Sequence, residues 1–172
     1  DTLLRVLQTL CGAAPFFVAI LQRHPEWLVR LAAEDLSQAR TTDWYHSALA
    51  DVLERTDQAE RPDELRRFKY YELARITVRD LSHDLVPLSE IGETLREVSS
   101  LAEALLAHAL KVAMTTLGRT YGPPIWQRTG GGKVTLPFVV LGLGKLGARE
   151  LNYSSDVDLI YVYEEPDPPV HP

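Results

Sequence analysis

The chain has 172 residues, which suits one domain or one domain with part of a second. Hydrophobic residues make up 45% and charged residues 24%, enough apolar material for a core without covalent staples. The 18 basic and 24 acidic residues leave a net charge of −6, which argues against a nucleic-acid partner, because phosphate neutralisation needs a basic surface.

The N-terminus, Asp1-Thr2-Leu3-Leu4-Arg5, lacks the charged, apolar and cleavage regions of a signal peptide, and the missing initial Met suggests an excised or internal segment. From about Thr2 to Tyr121 the pattern is helix after helix. Cys11 is the only cysteine, so neither an intramolecular disulfide nor a cysteine-based zinc site is expected, in keeping with a cytoplasmic location. Pro15 opens the apolar stretch Phe16 to Leu21, and Pro25 restarts a short helix through Trp27, Leu28 and Leu31. Thr42 or Asp43 can cap a helix carrying Trp44, Leu49, Val52 and Leu53. Arg61-Pro62-Asp63-Glu64 is a start signal with acidic residues in the first turn. The helix that follows places Leu65, Phe68, Leu73, Ile76 and Leu81 mostly on one side, with Arg66, Arg67, Arg75 and Arg79 expected on a solvated face.

The longest helix is expected to begin near Ser89. Ile91, Leu95, Val98, Ala102, Leu105, Ala109 and Val112 alternate steps of four and three, which makes a single packing stripe. No uninterrupted apolar run reaches the ~20 residues of a membrane span, so no membrane partner is expected. Gly122-Pro123-Pro124 closes the helical region, and Thr129-Gly130-Gly131-Gly132 reads as a loop. The period then becomes extended. Leu136 to Leu141 and Val157 to Tyr163 are short apolar runs consistent with buried strands, and the acidic, proline-rich tail from Glu164 reads as a loop. The expected organisation is a helical domain over 1–121 and the start of a second, α+β domain over 122–172.

The informative segment lies between those two runs. Gly142, Gly144 and Gly147 let the backbone turn tightly and let its N–H groups approach a phosphate, and Lys145 can add positive charge there. The same cluster can also be a tight turn and nothing more. Asp156 and Asp158, two apart at a strand start, should point to one face with Cα atoms ~6.5–7 Å apart. Paired carboxylates repel unless they meet water or a cation. A hard ion such as Mg²⁺ takes a few carboxylates plus phosphate oxygens, although a solvated strand end is the plainer alternative.

Gly142-Leu143-Gly144-Lys145-Leu146-Gly147 also fits the G-x-G-x-x-G pattern of dinucleotide-binding folds, with Glu164 about 20 residues on. The short stretch from Ala148 to Asp156 leaves little room for a parallel crossover, which argues against that alternative. A P-loop is excluded because no G-x-x-x-x-G-K-[ST] occurs. A third possibility is a non-catalytic helical interaction module.

The segment from Gly142 to Leu159, with Gly144, Lys145, Gly147, Glu150, Asn152, Ser155, Asp156 and Asp158 in place, resembles the signature of the glutamine synthetase adenylyltransferase/adenylyl-removase family. Leu65 to Leu81, Cys11 to Phe16 and His24-Pro25-Glu26 are similar to its helical segments. The resemblance implies a helical bundle followed by the first strands of a nucleotidyltransferase (polymerase-β-like) mixed sheet. It implies two related catalytic domains in the whole enzyme, one removing AMP from a tyrosine of glutamine synthetase by phosphorolysis to give ADP, the other attaching AMP from ATP. The wording Glu150-Leu151-Asn152-Tyr153-Ser154-Ser155-Asp156 is closer to the removing domain.

By position, Asp156 and Asp158 would bind Mg²⁺, while Gly142, Gly144, Lys145, Gly147 and Ser155 would hold the phosphates of ATP or ADP. Glu150 and Asn152 would brace the loop. The implied partners are glutamine synthetase and a PII-type signal protein. The superfamily uses a third carboxylate on a later strand. After Asp158 only Glu164, Glu165 and Asp167 are acidic, so this chain alone is expected to be nearly inactive.

Overall fold

The computed structural model describes residues 2–82, 91–127 and 132–164, with backbone alone at 13, 91, 126 and 127. Six helices lead: α1 (Thr2–Ala13), α2 (Phe16–Arg23), α3 (Glu26–Ala33), α4 (Thr42–Glu54), α5 (Arg61–Leu81) and α6 (Ile91–Tyr121). They start where local chemistry directs. Pro15 and Pro25 precede α2 and α3, and Pro62 lies in the first turn of α5 with Asp63 and Glu64 beside it. The cap of α4 is one residue earlier than expected: the Thr41 side chain accepts from the Trp44 N–H at 3.2 Å. Thr42 is thereby free to donate to Ser100 on α6 at 3.0 Å. The expected start near Ser89 and most of the glycine-rich loop lie outside the described residues.

The bundle core is built from Val6 and Leu10 of α1, Trp27 and Leu31 of α3, Tyr45, Leu49 and Leu53 of α4, Leu65 and Ile76 of α5, and Val98 and Leu101 of α6. α5 departs from a one-sided stripe. Every residue from Tyr71 to Arg79 is buried, including Glu72, Arg75 and Arg79, while Leu81 is exposed. Arg66 and Arg67 are solvated as expected, at 67% and 53% side-chain exposure, but Arg75 and Arg79 are at 2%. The reason is Glu97 on α6, itself fully buried. Its carboxylate accepts from Arg75 Nη1 at 2.7 Å, Arg79 Nε at 3.0 Å, the Arg40 backbone N–H at 2.8 Å and Tyr45 Oη at 3.3 Å.

A second acid, Glu72, pairs with the Arg40 guanidinium, which also meets Glu34; Tyr71 donates to Glu34 at 2.7 Å. Burial pushes the Glu72 carboxyl up to about 7 despite Arg40. Charges are buried here because each has partners.

α6 spans roughly 46 Å at ~1.5 Å per residue. It packs on α4 and α5, with Val98, Leu101, Ala104 and Val112 buried, and leaves Leu117 and Tyr121 near its end exposed. Ala109, expected in the packing stripe, is also exposed. Among the described residues it is the helix long and apolar enough to cross a membrane by length and composition, although Glu97, Glu103 and Lys111 interrupt it.

Gly122, at φ +85°, ends α6. Two short strands follow that the sequence reading did not anticipate: β1 (Ile125–Gln127) pairs antiparallel with β2 (Lys133–Thr135). β3 (Phe138–Gly142) then pairs with β4 (Leu159–Tyr163), also antiparallel, from Phe138 opposite Tyr163 to Gly142 opposite Leu159. The α+β class holds. The described residues form two separate antiparallel ribbons. Antiparallel pairing of β3 with β4 is incompatible with the dinucleotide alternative, whose strand–helix–strand unit is parallel. Between β3 and β4 lies a single helical turn, α7 (Gly144–Gly147), followed by a loop in which Leu151 is buried.

Candidate functional site

The glycine cluster sits where β3 ends and α7 turns the chain back. Each glycine has its own steric reason. A Cβ on Gly147 would stand 2.7 Å from the Gly142 carbonyl oxygen, inside any permitted contact. A Cβ on Gly142 would press on the Leu146 side chain at 2.8 Å. Gly144 takes φ +55°, a left-handed conformation that costs an L residue about 1 kcal/mol or more. These positions close a turn in which the Gly147 N–H bonds to the Leu143 carbonyl at 3.2 Å and the Ala148 N–H to that of Gly144 at 3.0 Å. Arg149 is also left-handed, at φ +60°, and carries the chain out of the turn; its side chain reaches Glu103 on α6 at 2.8 Å.

The strand carrying the acids starts later than expected. Residues 155–158 are irregular, and β4 begins at Leu159. Asp158 still continues the ladder by one rung, because the Leu143 N–H donates to its carbonyl at 2.9 Å. That rung brings the acid to the glycine turn: Asp158 Oδ2 lies 3.7 Å from where a Gly144 Cβ would be. The alternation of β4 puts Asp158 on the ribbon face shared by Val139, Leu141, Ile160 and Val162, all near half exposed. The opposite face, with Val140, Gly142 and Leu159, fronts Leu106 and Leu110 of α6 across a shallow cleft.

Asp156 and Asp158 are both solvent-exposed, as is Lys145. The structure thus brings Gly142, Gly144, Gly147 and Asp158 together, with Lys145 on the turn and Asp156 two residues ahead of Asp158. It separates the Ser155 hydroxyl from that group. Ser155 Oγ is buried without a hydrogen bond at a cavity of about 230 Å³ lined by Leu73, Val98, Leu101 and Leu105 of the bundle. The Ser155 N–H closes a local turn onto the Asn152 carbonyl at 3.2 Å, and the Glu150 N–H bonds to that of Lys145 at 2.8 Å. Loop bracing therefore comes from the backbones of Glu150 and Asn152.

Among the described residues no group of three or more acidic, histidine or cysteine side chains converges for a metal ion. An exposed carboxylate beside an open turn, with a second two residues ahead of it, would suit a hard cation that keeps most of its water and shares phosphate oxygens, as Mg²⁺ does, and does not fit a metal held wholly by protein. Glu164 is exposed at the far end of β4, away from the turn.

Sequence reasoning missed the residues that hold this segment to the bundle. Leu151 is buried in the core, and its N–H donates to Ser99 Oγ on α6 at 3.0 Å. Tyr153 Oη donates to Asp80 on α5 at 3.3 Å, and Thr94 on α6 donates to the other oxygen of Asp80 at 2.8 Å. Burial and the neighbouring Asp80 push the Tyr153 phenol up from its ordinary value. The one signal in the sequence was a large apolar residue and a tyrosine inside a stretch otherwise typical of a loop.

Residues 4–171 match the model of the glutamate-ammonia ligase adenylyltransferase family. A bifunctional glutamine synthetase adenylyltransferase/adenylyl-removing enzyme from Nitrosococcus oceani is 38% identical over 166 residues, and one from Shewanella oneidensis 33% over 159. These alignments cover 94% and 92% of this chain and 16% of each relative, so the chain spans about one sixth of their length. A third, from Shewanella loihica, is 34% identical over 160 residues, with 92% and 16% covered. With a family match over nearly its whole length, the chain belongs to the glutamate-ammonia ligase adenylyltransferase family.

Proposed function

We propose that this chain carries the opening part of a nucleotidyltransferase site that removes AMP from an adenylylated tyrosine of glutamine synthetase by phosphorolysis. The carrying observation is the rung between Leu143 and Asp158, which sets a carboxylate beside the Gly144 turn. Ribbon β3–β4 would be the start of the nucleotidyltransferase sheet. The names of the relatives support the class of reaction, and the wording from Glu150 to Asp156 favours the removing over the transferring half.

In this reading Asp156 and Asp158 hold Mg²⁺, which when bound would neutralise charge on the adenylyl phosphate. Gly142, Gly144 and Gly147 keep the turn free of side chains, so that its backbone can approach the phosphates. Lys145, exposed on the turn, adds positive charge. An oxygen of inorganic phosphate forms a bond to the adenylyl phosphorus while the bond to the tyrosine oxygen breaks. ADP is released, and the phenolate takes up a proton. The same site would bind ATP or ADP, and a PII-type protein would regulate the whole enzyme in the cytoplasm. With two carboxylates at hand, the 172-residue chain alone would turn over substrate negligibly beside a longer chain supplying a third.

The test is Mg²⁺-dependent ADP binding and phosphorolysis of adenylylated glutamine synthetase by the full-length enzyme. Asp158→Ala and Asp156→Ala should each abolish both. Retention of Mg²⁺-dependent turnover by either variant would refute the reading.

A further inference from the structure

The segment from Leu151 to Ser155 is the only covalent path from the glycine turn to the two aspartates, and it is not self-supporting. Asn152 and Ser155 close one local turn at 3.2 Å. Among the described residues, its side-chain hydrogen bonds are to the bundle. Leu151 is 4% exposed and pinned by its N–H to Ser99 Oγ, which in turn donates to the Leu95 carbonyl at 2.8 Å. Two residues on, Tyr153 Oη reaches Asp80. Asp80 is itself fixed by Thr94, so α5, α6 and the segment meet at one carboxylate. Asp156 follows Tyr153 by three residues and Asp158 by five, and ribbon β3–β4 restrains only the second, through Leu143.

The geometry points to Tyr153 and Asp80 as positioning residues that, together with Ser99, set where Asp156 stands relative to Asp158 and the Gly144 turn. Tyr153 touches none of the proposed reacting groups; it acts by anchoring the chain that carries them. The bundle would then contribute to the placement of the metal-binding carboxylates, besides its own stability. This inference rests on the proposed role of the aspartates. Residues that orient ligand groups from behind typically cost 10–100-fold in metal affinity or activity when removed.

The experiment uses the full-length enzyme with Tyr153→Phe, Asp80→Asn, the double variant, and Asp158→Ala as reference. Three quantities are read: the Mg²⁺ concentration for half-maximal phosphorolysis, the KM for adenylylated glutamine synthetase, and hydrogen exchange at the amides of residues 152–158 without substrate. Tyr153→Phe should raise the Mg²⁺ requirement about tenfold, speed exchange in 152–158 and leave the KM unchanged. The double variant should be no worse than the worse single one, because both changes act on the same contact. Tyr153→Phe deletes one oxygen from a partly exposed ring, so it avoids the unfolding that Asp80→Asn could cause through Thr94. Unchanged exchange with an unchanged Mg²⁺ requirement overturns the inference. Faster exchange at a constant Mg²⁺ requirement also overturns it, since the anchors would then hold the chain and not the carboxylates. Activity surviving Asp158→Ala would instead sink the proposed function, a separate outcome.

Discussion

The interior between α4, α5 and α6 and the segment around Gly142 to Asp158 treat charge in opposite ways. In the bundle, Glu72, Arg75, Arg79 and Glu97 are almost fully out of water, and each is paired. At the glycine turn, Lys145, Asp156 and Asp158 face solvent, and Asp158 Oδ2 lies 3.7 Å from where a Gly144 Cβ would be. Buried pairs fix one packing, because any other leaves a charge without a partner. Exposed carboxylates beside glycine fix little themselves and stay available to a ligand. The molecule spends its rigid chemistry on the platform and leaves the site open.

Removing the centre of the platform should break that contrast most severely. Glu97→Ala leaves Arg75 buried without its acid and Arg79 with Glu93 alone, and should cost about 3–5 kcal/mol in urea unfolding. A loss below 1 kcal/mol would mean that the interior is wetter than it looks.

The turn should respond differently. Gly147→Ala forces a Cβ onto the Gly142 carbonyl and should cost roughly 1–3 kcal/mol in fit at the turn. Nucleotide binding should be lost while the thermal midpoint of the bundle barely moves. An equal fall in both would show the two regions to be one cooperative unit.

The pH dependence sharpens the comparison inside the platform. Glu72 is held up at about 7, above its value in the unfolded chain. The folded state therefore binds the extra proton, so the Glu72 contribution is most favourable below the unfolded value, near 4.5, and declines as pH rises to about 7. Urea titrations from pH 4.5 to 8 should show stability relative to Glu72→Gln falling through that window; a flat difference would contradict the burial argument.

The smallest effect belongs to the solvated end of α5. Arg66→Ala removes an exposed pair with Asp63 and should change stability by at most about 0.5 kcal/mol. A larger loss would place that helix start in an interface.

Much of the fold was legible because its signals are local. Pro15, Pro25 and Pro62 act within one turn of their own position, so the helix starts could be read directly. β1 and β2 escaped notice because three residues are too few to show a period. Two runs flanking a glycine-rich stretch were the available cue. At the site, the spacing of Asp156 and Asp158 suggested a strand start, whereas the ladder admits only Asp158 as its last rung. Ser155 illustrates the remaining gap: its place in the motif does not reveal that its hydroxyl turns toward the bundle cavity.

Taken alone, the order of residues determined the helical run, the change to extended structure after Gly122, and the glycine–aspartate spacing, since each depends on backbone preferences and neighbours a few positions away. Tertiary structure decided that Arg75 and Arg79 lie inside, that β3 and β4 run antiparallel, and that Tyr153 meets Asp80. Those outcomes join residues 17 to 73 positions apart, and at such separations the partner is chosen by packing and desolvation.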